Sequence, residues 1–230
     1  MSTASDPSGV FSDPAAVAAY AERPPRLVPG WADLQRMTTL LVAERTPENG
    51  AVLVVGAGGG LELKAMCEAD ASWRFTGVDP SSEMLKLAQA TLGAFAARVQ
   101  FHAGYMDTAP EGPFDAATCL LTLHFVPVAE RLGMLRQIHR RLKPGAPFIA
   151  AHLSIPQEPA ERAVWLARYV AFAVSSGVAP ASVQNAATMI GDTLPIVSPA
   201  QDEALLREAG FKGTSLFYAG FTFRGWVSYA

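Results

Sequence analysis

The chain has few of the residues that would assign it to a protein class at once. Its two cysteines, Cys67 and Cys119, lie far apart and outside any C-x-x-C pair, so a disulfide framework and a zinc-type spacing are excluded, and no metal is expected. Its 18 Lys and Arg residues face 21 Asp and Glu residues, a net charge of -3, which excludes a globally basic nucleic-acid binder. No window approaches the ~18 uninterrupted apolar residues of a membrane span, and residues 1–13 do not resemble a signal peptide. A cytoplasmic protein is expected.

What is present is an alternation of short apolar strands with helices. Strands are predicted over 51–55, 74–78, 99–102, 114–120 and 146–153, and helices over 61–69, 82–92 and 129–142. Strands that alternate with helices of about ten residues imply right-handed crossovers and a mostly parallel sheet. We expect residues 1–24 to be a partly flexible N-terminal segment and residues 25–230 to form a single domain.

The pattern changes after the fifth strand. A helical insertion at about 156–195 and a helix over 199–208 precede two aromatic strands, predicted over 214–218 and 221–223 with Gly220 between them. These strands are too close in sequence for a helical crossover, so they must pair as an antiparallel hairpin. The predicted fold is therefore an α/β, Rossmann-like, seven-stranded and mostly parallel sheet. It ends in an antiparallel C-terminal hairpin and carries a helical lid between strands 5 and 6.

Three segments carry the chemistry, each at the end of a strand. Glycines at 56 and 58–60 open a helix directly after the first strand, where free N–H groups and missing Cβ atoms let a ligand approach the backbone. Asp79 ends the second strand, where a carboxylate can accept both hydroxyls of a ribose. Asp107 follows the third strand and could accept from an adenine amine while Met106 covers the ring. A dinucleotide dehydrogenase is disfavoured, since its fingerprint needs Gly or Ala where Leu61 stands.

Together these segments resemble the class I S-adenosylmethionine (SAM)-dependent methyltransferases. The more specific similarity is to the carboxy-S-adenosylmethionine synthases and related methyltransferases, over roughly residues 25–230. It rests on the segments VPGW (28–31), GVDPSSEM (77–84), LTLHF (121–125), LKPG (142–145) and EAGF (208–211). The resemblance implies transfer of the SAM methyl group to a small-molecule acceptor, with S-adenosylhomocysteine as the product.

The resemblance also implies a set of cofactor-binding residues. It puts Trp31 over the cofactor, three loop residues at its methionine part, two at its ribose, Asp107 at its adenine and Leu120 at its sulfonium. In full, the cofactor-binding candidates are Trp31, Gly56, Ala57, Gly58, Asp79, Pro80, Met84, Met106, Asp107 and Leu120.

Two departures from that family pattern are visible. Most such enzymes have an acid two residues before the first glycine, where this chain has Val54, so backbone carbonyls, water or another side chain must hold the cofactor ammonium. Carboxy-SAM synthases have an arginine six residues before the Phe of the last segment, where this chain has Leu205, which cannot pair with a carboxylate. Plain SAM is therefore the expected cofactor.

A sulfonium methyl is already activated, so in-line positioning is the main task of the protein. His124 is the catalytic candidate, as a base at the carboxyl end of the fourth strand; the alternative is a structural histidine bonded to backbone. His152 is the second candidate. An acceptor pocket could include Tyr105, Trp165, Tyr169, Phe172 and Met189, although stripes of this kind are usually core.

Several alternatives stay open. One is a carboxy-SAM synthase-like enzyme in tRNA wobble-uridine modification, and another is a SAM-binding protein without catalysis. A tRNA partner is disfavoured, because the basic residues around 136–143 close a helix, where cations offset its dipole. No membrane partner is expected, and assembly as a homodimer is left open.

Overall fold

The structure, a computed structural model, describes residues 22–230 and is built around one seven-stranded sheet. The strands, numbered along the chain, are β1 (Ala51–Val55), β2 (Arg74–Asp79), β3 (Val99–Ala103), β4 (Ala116–Leu120), β5 (Pro147–Leu153), β6 (Lys212–Gly220) and β7 (Phe223–Tyr229). Their order in the sheet is β3-β2-β1-β4-β5-β7-β6. The first five strands are parallel to one another, and β7 runs antiparallel to both β5 and β6. The predicted fold class is thus confirmed.

Helices cover both faces of this sheet. They are α1 (Arg23–Leu27), α2 (Trp31–Ala43), α3 (Leu61–Ala69), α4 (Ser82–Leu92), α5 (Val128–His139), α6 (Pro159–Ser175), α7 (Pro180–Asp192) and α8 (Pro199–Glu208). Val52 and Val54 of β1 pack into one buried cluster with α3, while Leu53 and Val55 pack into another with α5 and α8. Successive strand residues point to opposite faces, so a strand covered on both faces is apolar throughout.

Two predicted boundaries are wrong by a few residues. The fourth strand begins at Ala116 rather than at 114, because Phe114 makes only an isolated bridge to Leu142. Helix α5 ends at His139 rather than at 142, because the amides of the next residues bond three residues back, to Ile138 and His139, in a tight turn. Neither shift changes the topology.

The C-terminal hairpin forms as predicted, but its turn lies elsewhere. Gly220 pairs with Phe223 inside the ladder, and the loop consists of Phe221 and Thr222, with Phe221 at φ +49. A Cβ at position 220 would collide with the Tyr218 hydroxyl, so this glycine serves close packing rather than the turn. The strand after the turn therefore runs over Phe223–Tyr229 instead of ending at 223.

The segment between β5 and β6 contains two helices, α6 and α7, ahead of α8. They are separated at Gly177, which has φ +86. The predicted N-terminal segment, 1–24, falls largely outside the described residues, so that boundary stays a prediction. Within residues 22–230, no helix is long and apolar enough to cross a membrane.

Candidate functional site

The carboxyl ends of β1, β2 and β4 meet where the strand order reverses, which in open α/β sheets is the place where ligands bind. The loop after β1 is held there by its own backbone: the amides of Gly56 and Ala57 both donate to the Val78 carbonyl, at 2.8 and 3.0 Å. Gly56 has φ +72, and a Cβ on it would collide with the Thr122 side chain. The loops after β1 and β4 are therefore in direct contact.

Asp79 ends β2 beside this glycine loop. One carboxylate oxygen accepts from the Gly58 amide and the other from the Ser81 amide, both at 2.9 Å. Burial raises the pKa of the Asp79 carboxyl, and the two amides counteract part of that rise. A carboxylate has about four acceptor positions, so each oxygen can still accept one hydroxyl. The arrangement suits recognition of a diol.

The residues beside Asp79 also lie at this edge of the sheet. Ser81, not Asp79, caps α4, since its hydroxyl accepts from the Met84 amide at 3.2 Å. Met84 and Met106 are buried, while Pro80 and Asp107 are exposed. Met106 and Asp107 lie in the turn after β3, so an apolar side chain and an exposed carboxylate are neighbours there.

The end of β4 contains a feature that sequence patterns did not indicate. Leu120 is buried, and Leu121 after it has φ +55, which is unfavourable for a residue with a Cβ. The Leu121 amide donates to the Ala151 carbonyl at 2.6 Å, and the Thr122 hydroxyl donates to the Leu120 carbonyl at 3.0 Å. Strained backbone of this kind concentrates at ligand sites. A leucine carries no sequence signal for a positive φ.

Comparisons with known proteins agree with this geometry. Residues 52–145 match the family described as "Methyltransferase domain". A carboxy-S-adenosyl-L-methionine synthase of Chromohalobacter salexigens is 27% identical over 247 residues, which cover 100% of this chain and 90% of that protein. A ubiquinone/menaquinone biosynthesis C-methyltransferase of Rubrivivax gelatinosus is 38% identical over 112 residues, 48% of this chain and 42% of that protein. The crystal structure of a SAM-dependent methyltransferase from Aquifex aeolicus superposes with a TM-score of 0.64 at 16% identity, covering 94% of this chain and 98% of that one.

The predicted resemblance to the class I SAM-dependent methyltransferases is thus confirmed. Its cofactor is SAM, as predicted. Polar atoms that suit such a ligand lie on α2 and α3: among residues 22–230, the buried side-chain atoms without a hydrogen-bond partner include Gln35 Nε2, Thr38 Oγ1 and Glu62 Oε1. Helix α2 packs against α3, which begins directly after the glycine loop. Buried polar atoms are normally paired, so a polar ligand fits this region.

Trp31 is the first residue of α2 and packs, partly buried, against the cluster that contains α3. The segment before it is tied to the C-terminal hairpin, because the Tyr218 hydroxyl donates to the Pro29 carbonyl at 2.5 Å. The segment before α2 is thereby held against β6.

His124 is only 5% exposed, and its Nδ1 accepts from the Leu153 amide at 3.4 Å. Burial, with His152 and Arg131 nearby, holds the pKa of His124 well below its ordinary value, so the imidazole is neutral. This placement matches the structural alternative, and the role of base stays a prediction. His152 is also buried and lies 3.1 Å from Asp202. Among the described residues, no group of three or more His, Cys, Asp or Glu side chains could hold a metal ion.

The predicted acceptor residues divide into two groups. Trp165, Tyr169 and Phe172 of α6 face the hairpin tip: Tyr169 is buried with its ring 6.3 Å from Phe223, and Trp165 lies 4.9 Å from the Arg224 guanidinium. Tyr169 also lines a cavity of about 430 Å³ between α1, α6 and α7. The second group, Tyr105 and Met189, is 65% and 59% exposed.

Both departures from the family pattern correspond to apolar contacts. Val54 is fully buried and pairs in register with Thr118 of β4. Leu205 packs, partly buried, against the cluster around α5 and α8. Neither position offers a charged group to a ligand.

Glu62 is not among the residues that the sequence patterns indicated. An acid one residue into α3 resembles an ordinary surface residue of a first helical turn, where acids are favoured. Here it is 6% exposed. The one available signal was its neighbours, since it stands between two leucines directly after the glycine loop.

Proposed function

We propose that the chain transfers the methyl group of SAM to a small-molecule acceptor by in-line displacement. The observation that carries the proposal is the Asp79 carboxylate, fixed by two backbone amides beside the glycine loop at the switch point of the sheet. When bound, SAM supplies a methyl group that is already activated by the positive sulfur. The residues of the chain then need to bind and orient it and to exclude water.

The assignments follow the strand ends. Asp79 and Pro80 would bind the ribose, and Asp107 would accept from the adenine amine while Met106 and Met84 supply apolar contact. Gly56, Ala57 and Gly58 would hold the methionine part beneath Trp31, with Leu120 facing the sulfonium. Support comes from the exposure of Asp107 beside the buried Met106 and from the free acceptor positions of Asp79.

The contacts of the basic residues around 136–143 support a small acceptor rather than tRNA. Arg140 pairs with Glu111 at 2.5 Å, and Lys143 pairs with Asp115 at 2.7 Å. Arg141 is fully buried and donates to the carbonyls of Ala109 and Pro110. Cations engaged in this way do not form a free phosphate-binding surface.

Whether an acceptor proton is removed by the chain depends on His124. In its neutral imidazole Nδ1 accepts from the Leu153 amide, so Nε2 carries the ring proton, and His124 could act as a base only through Nδ1 after giving up that bond. The cytoplasmic location and a homodimeric assembly remain predictions.

Calorimetric titration with SAM tests the proposal, using two matched aspartates. Asp79→Asn should weaken SAM binding about 10-fold or more, because hydrogen bonds to a charged group contribute about 1.5–3 kcal/mol. Asp115→Asn is the control: Asp115 is equally buried and also accepts a backbone amide, from Ala51 at 2.9 Å, but at the opposite end of the sheet. An affinity equal in the wild type and Asp79→Asn would refute the ribose assignment, and absence of SAM binding by the wild type would refute the function.

A second candidate function is favoured by one finding. The chain aligns over its full length with a protein named as a carboxy-S-adenosyl-L-methionine synthase. Leu205 offers no cation for a carboxylate, so we expect unmodified SAM or its demethylated product to copurify. Mass spectrometry of the ligand released on denaturation decides, since the extra carboxylate of carboxy-SAM has a distinct mass.

A further inference from the structure

Glu62 is a buried acid with no charged partner in the described part of the chain. It lies in the first turn of α3 and is 6% exposed, and its Oε1 has no hydrogen-bond partner. Burial raises the pKa of Glu62 to about 8, and the nearby Thr118 hydroxyl counteracts only a part of that rise. Burying a carboxyl whose oxygens are not all hydrogen-bonded lowers the stability of the fold, so the burial of Glu62 points to a role in function.

The place of Glu62 in the fold supplies one. Helix α3 begins directly after the glycine loop, and Thr118, which the carboxyl approaches, is the strand neighbour of Val54. Helix α2 packs against α3, β4 and β5, and it contributes Gln35 and Thr38, both buried and both with an unpartnered polar atom. Unpartnered polar atoms thus come from α2 and α3, two helices in contact with each other, and α3 begins directly at the glycine loop.

We propose that Glu62 binds the ammonium group of the methionine part of SAM. This inference rests on SAM being the cofactor bound at the glycine loop. The methionine part carries a primary ammonium with three donors, and a carboxylate accepts without donating, so the two are complementary. Val54, at the strand position where the family pattern has an acid, is apolar and lies beside Thr118 in the sheet. Glu62 approaches the same Thr118 from helix α3, so an acid reaches this place from the helix instead of from the strand.

The experiment compares two ligands that differ by the group in question. S-adenosylhomocysteine contains the amino-acid part, whereas 5′-methylthioadenosine has the same nucleoside and thioether without it. Glu62→Gln should raise the Kd for S-adenosylhomocysteine about 10- to 100-fold, the range for a hydrogen bond to a charged group. The Kd for methylthioadenosine should change less than about 2-fold, within the usual effect of a neutral substitution. Glu68→Gln, an exposed change on the same helix, should alter neither.

The two titrations distinguish a failure of the Glu62 assignment from a failure of the proposed function. Equal loss of both ligands, or no loss of S-adenosylhomocysteine, overturns the assignment of Glu62. Asp79→Asn should weaken both ligands alike, so a wild type that binds neither ligand refutes the proposed function and not this inference alone. A purely structural role would not separate the two ligands. If Glu62→Gln fails to fold, Glu62→Met removes the acceptor at similar volume without burying a new amide, and the same two titrations apply.

Discussion

Replacing Arg131 by methionine should destabilise the protein severely. The Arg131 side chain is 1% exposed on α5; its Nη1 lies 3.5 Å from Asp202 of α8, its Nε donates to the Val126 carbonyl at 3.1 Å, and its Nη2 donates to the Pro195 carbonyl. The guanidinium therefore joins α5, α8 and the segment that follows α7. Met is similar in length and apolar, so packing is largely kept while the charge and both backbone contacts are lost.

The expected magnitude follows from the charge left behind. Asp202 is 5% exposed at its side chain, and removing one partner of a buried ion pair costs about 3–5 kcal/mol. For a chain of 150–250 residues each kcal/mol corresponds to roughly 2–4 °C, so the melting temperature should fall by roughly 6–20 °C. Urea unfolding followed by circular dichroism measures the change in free energy, with the slope m as a check on two-state behaviour.

A double variant separates the charge effect from lost packing. Asp202→Asn removes the anion at constant size, so Arg131→Met with Asp202→Asn should recover about 2 kcal/mol or more relative to the sum of the single changes. His152, at 3.1 Å from Asp202, keeps its neighbour in each variant. If Arg131→Met lowers the free energy of unfolding by less than about 1 kcal/mol, or if the two single changes add strictly, Arg131 and Asp202 do not act as a buried ion pair in which each charge offsets the desolvation of the other.

Three further predictions concern single sites. Gly56→Ala should lower the free energy of unfolding by more than Gly177→Ala: both glycines have positive φ, which costs an alanine about 1–2 kcal/mol, but only at Gly56 would the new Cβ collide with a neighbouring side chain, and equal losses would contradict this. Cys67 and Cys119 are buried with raised thiol pKa values, so a thiol reagent should label them only as fast as the chain unfolds; immediate labelling would contradict the burial. Burial raises the pKa of Glu62 from 4.5 to about 8, so between these pH values the folded chain binds one proton more than the unfolded chain. The free energy of unfolding therefore falls as the pH rises, by at most about 1.4 kcal/mol per pH unit. Glu62→Gln should reduce that slope in urea unfolding at pH 5 to 8, and an unchanged slope would contradict the buried acid.

Much of the fold could be predicted because its local signals agree. Strands such as β1 are apolar along their length, most helices end near Gly or Pro, and the short spacing between β6 and β7 leaves only a hairpin. The exact turn could not be predicted, because the position of Gly220 in the ladder depends on the Tyr218 hydroxyl, which lies over Gly220 and donates to the distant Pro29 carbonyl. The paired state of Arg140 and Lys143 also depends on loops distant in sequence.

The site residues that stand at strand ends and in the glycine loop could be predicted from the sequence. Those that become part of the site only through burial by distant elements could not. Asp79 stands out by its place after a strand and its distance from the glycine loop. Glu62 does not, because the burial of a first-turn acid is decided by α2 and β4, which pack over it. The positive φ of Leu121 likewise depends on contacts with β5 and not on its residue type.

The buried polar groups of this chain fall into two kinds, and the difference separates structure from function. Around Arg131, a cation and an anion are buried together, so their desolvation is partly offset within the fold. Around Glu62, no cation contributes to its pKa, and Thr118 offers only a hydroxyl. A buried acid without a counter-charge costs the fold free energy, and the SAM ammonium that we propose at this position would supply the cation. Stability lost at Glu62 in the free protein is then recovered on binding, which is why Glu62→Gln should stabilise the free chain while weakening its hold on S-adenosylhomocysteine.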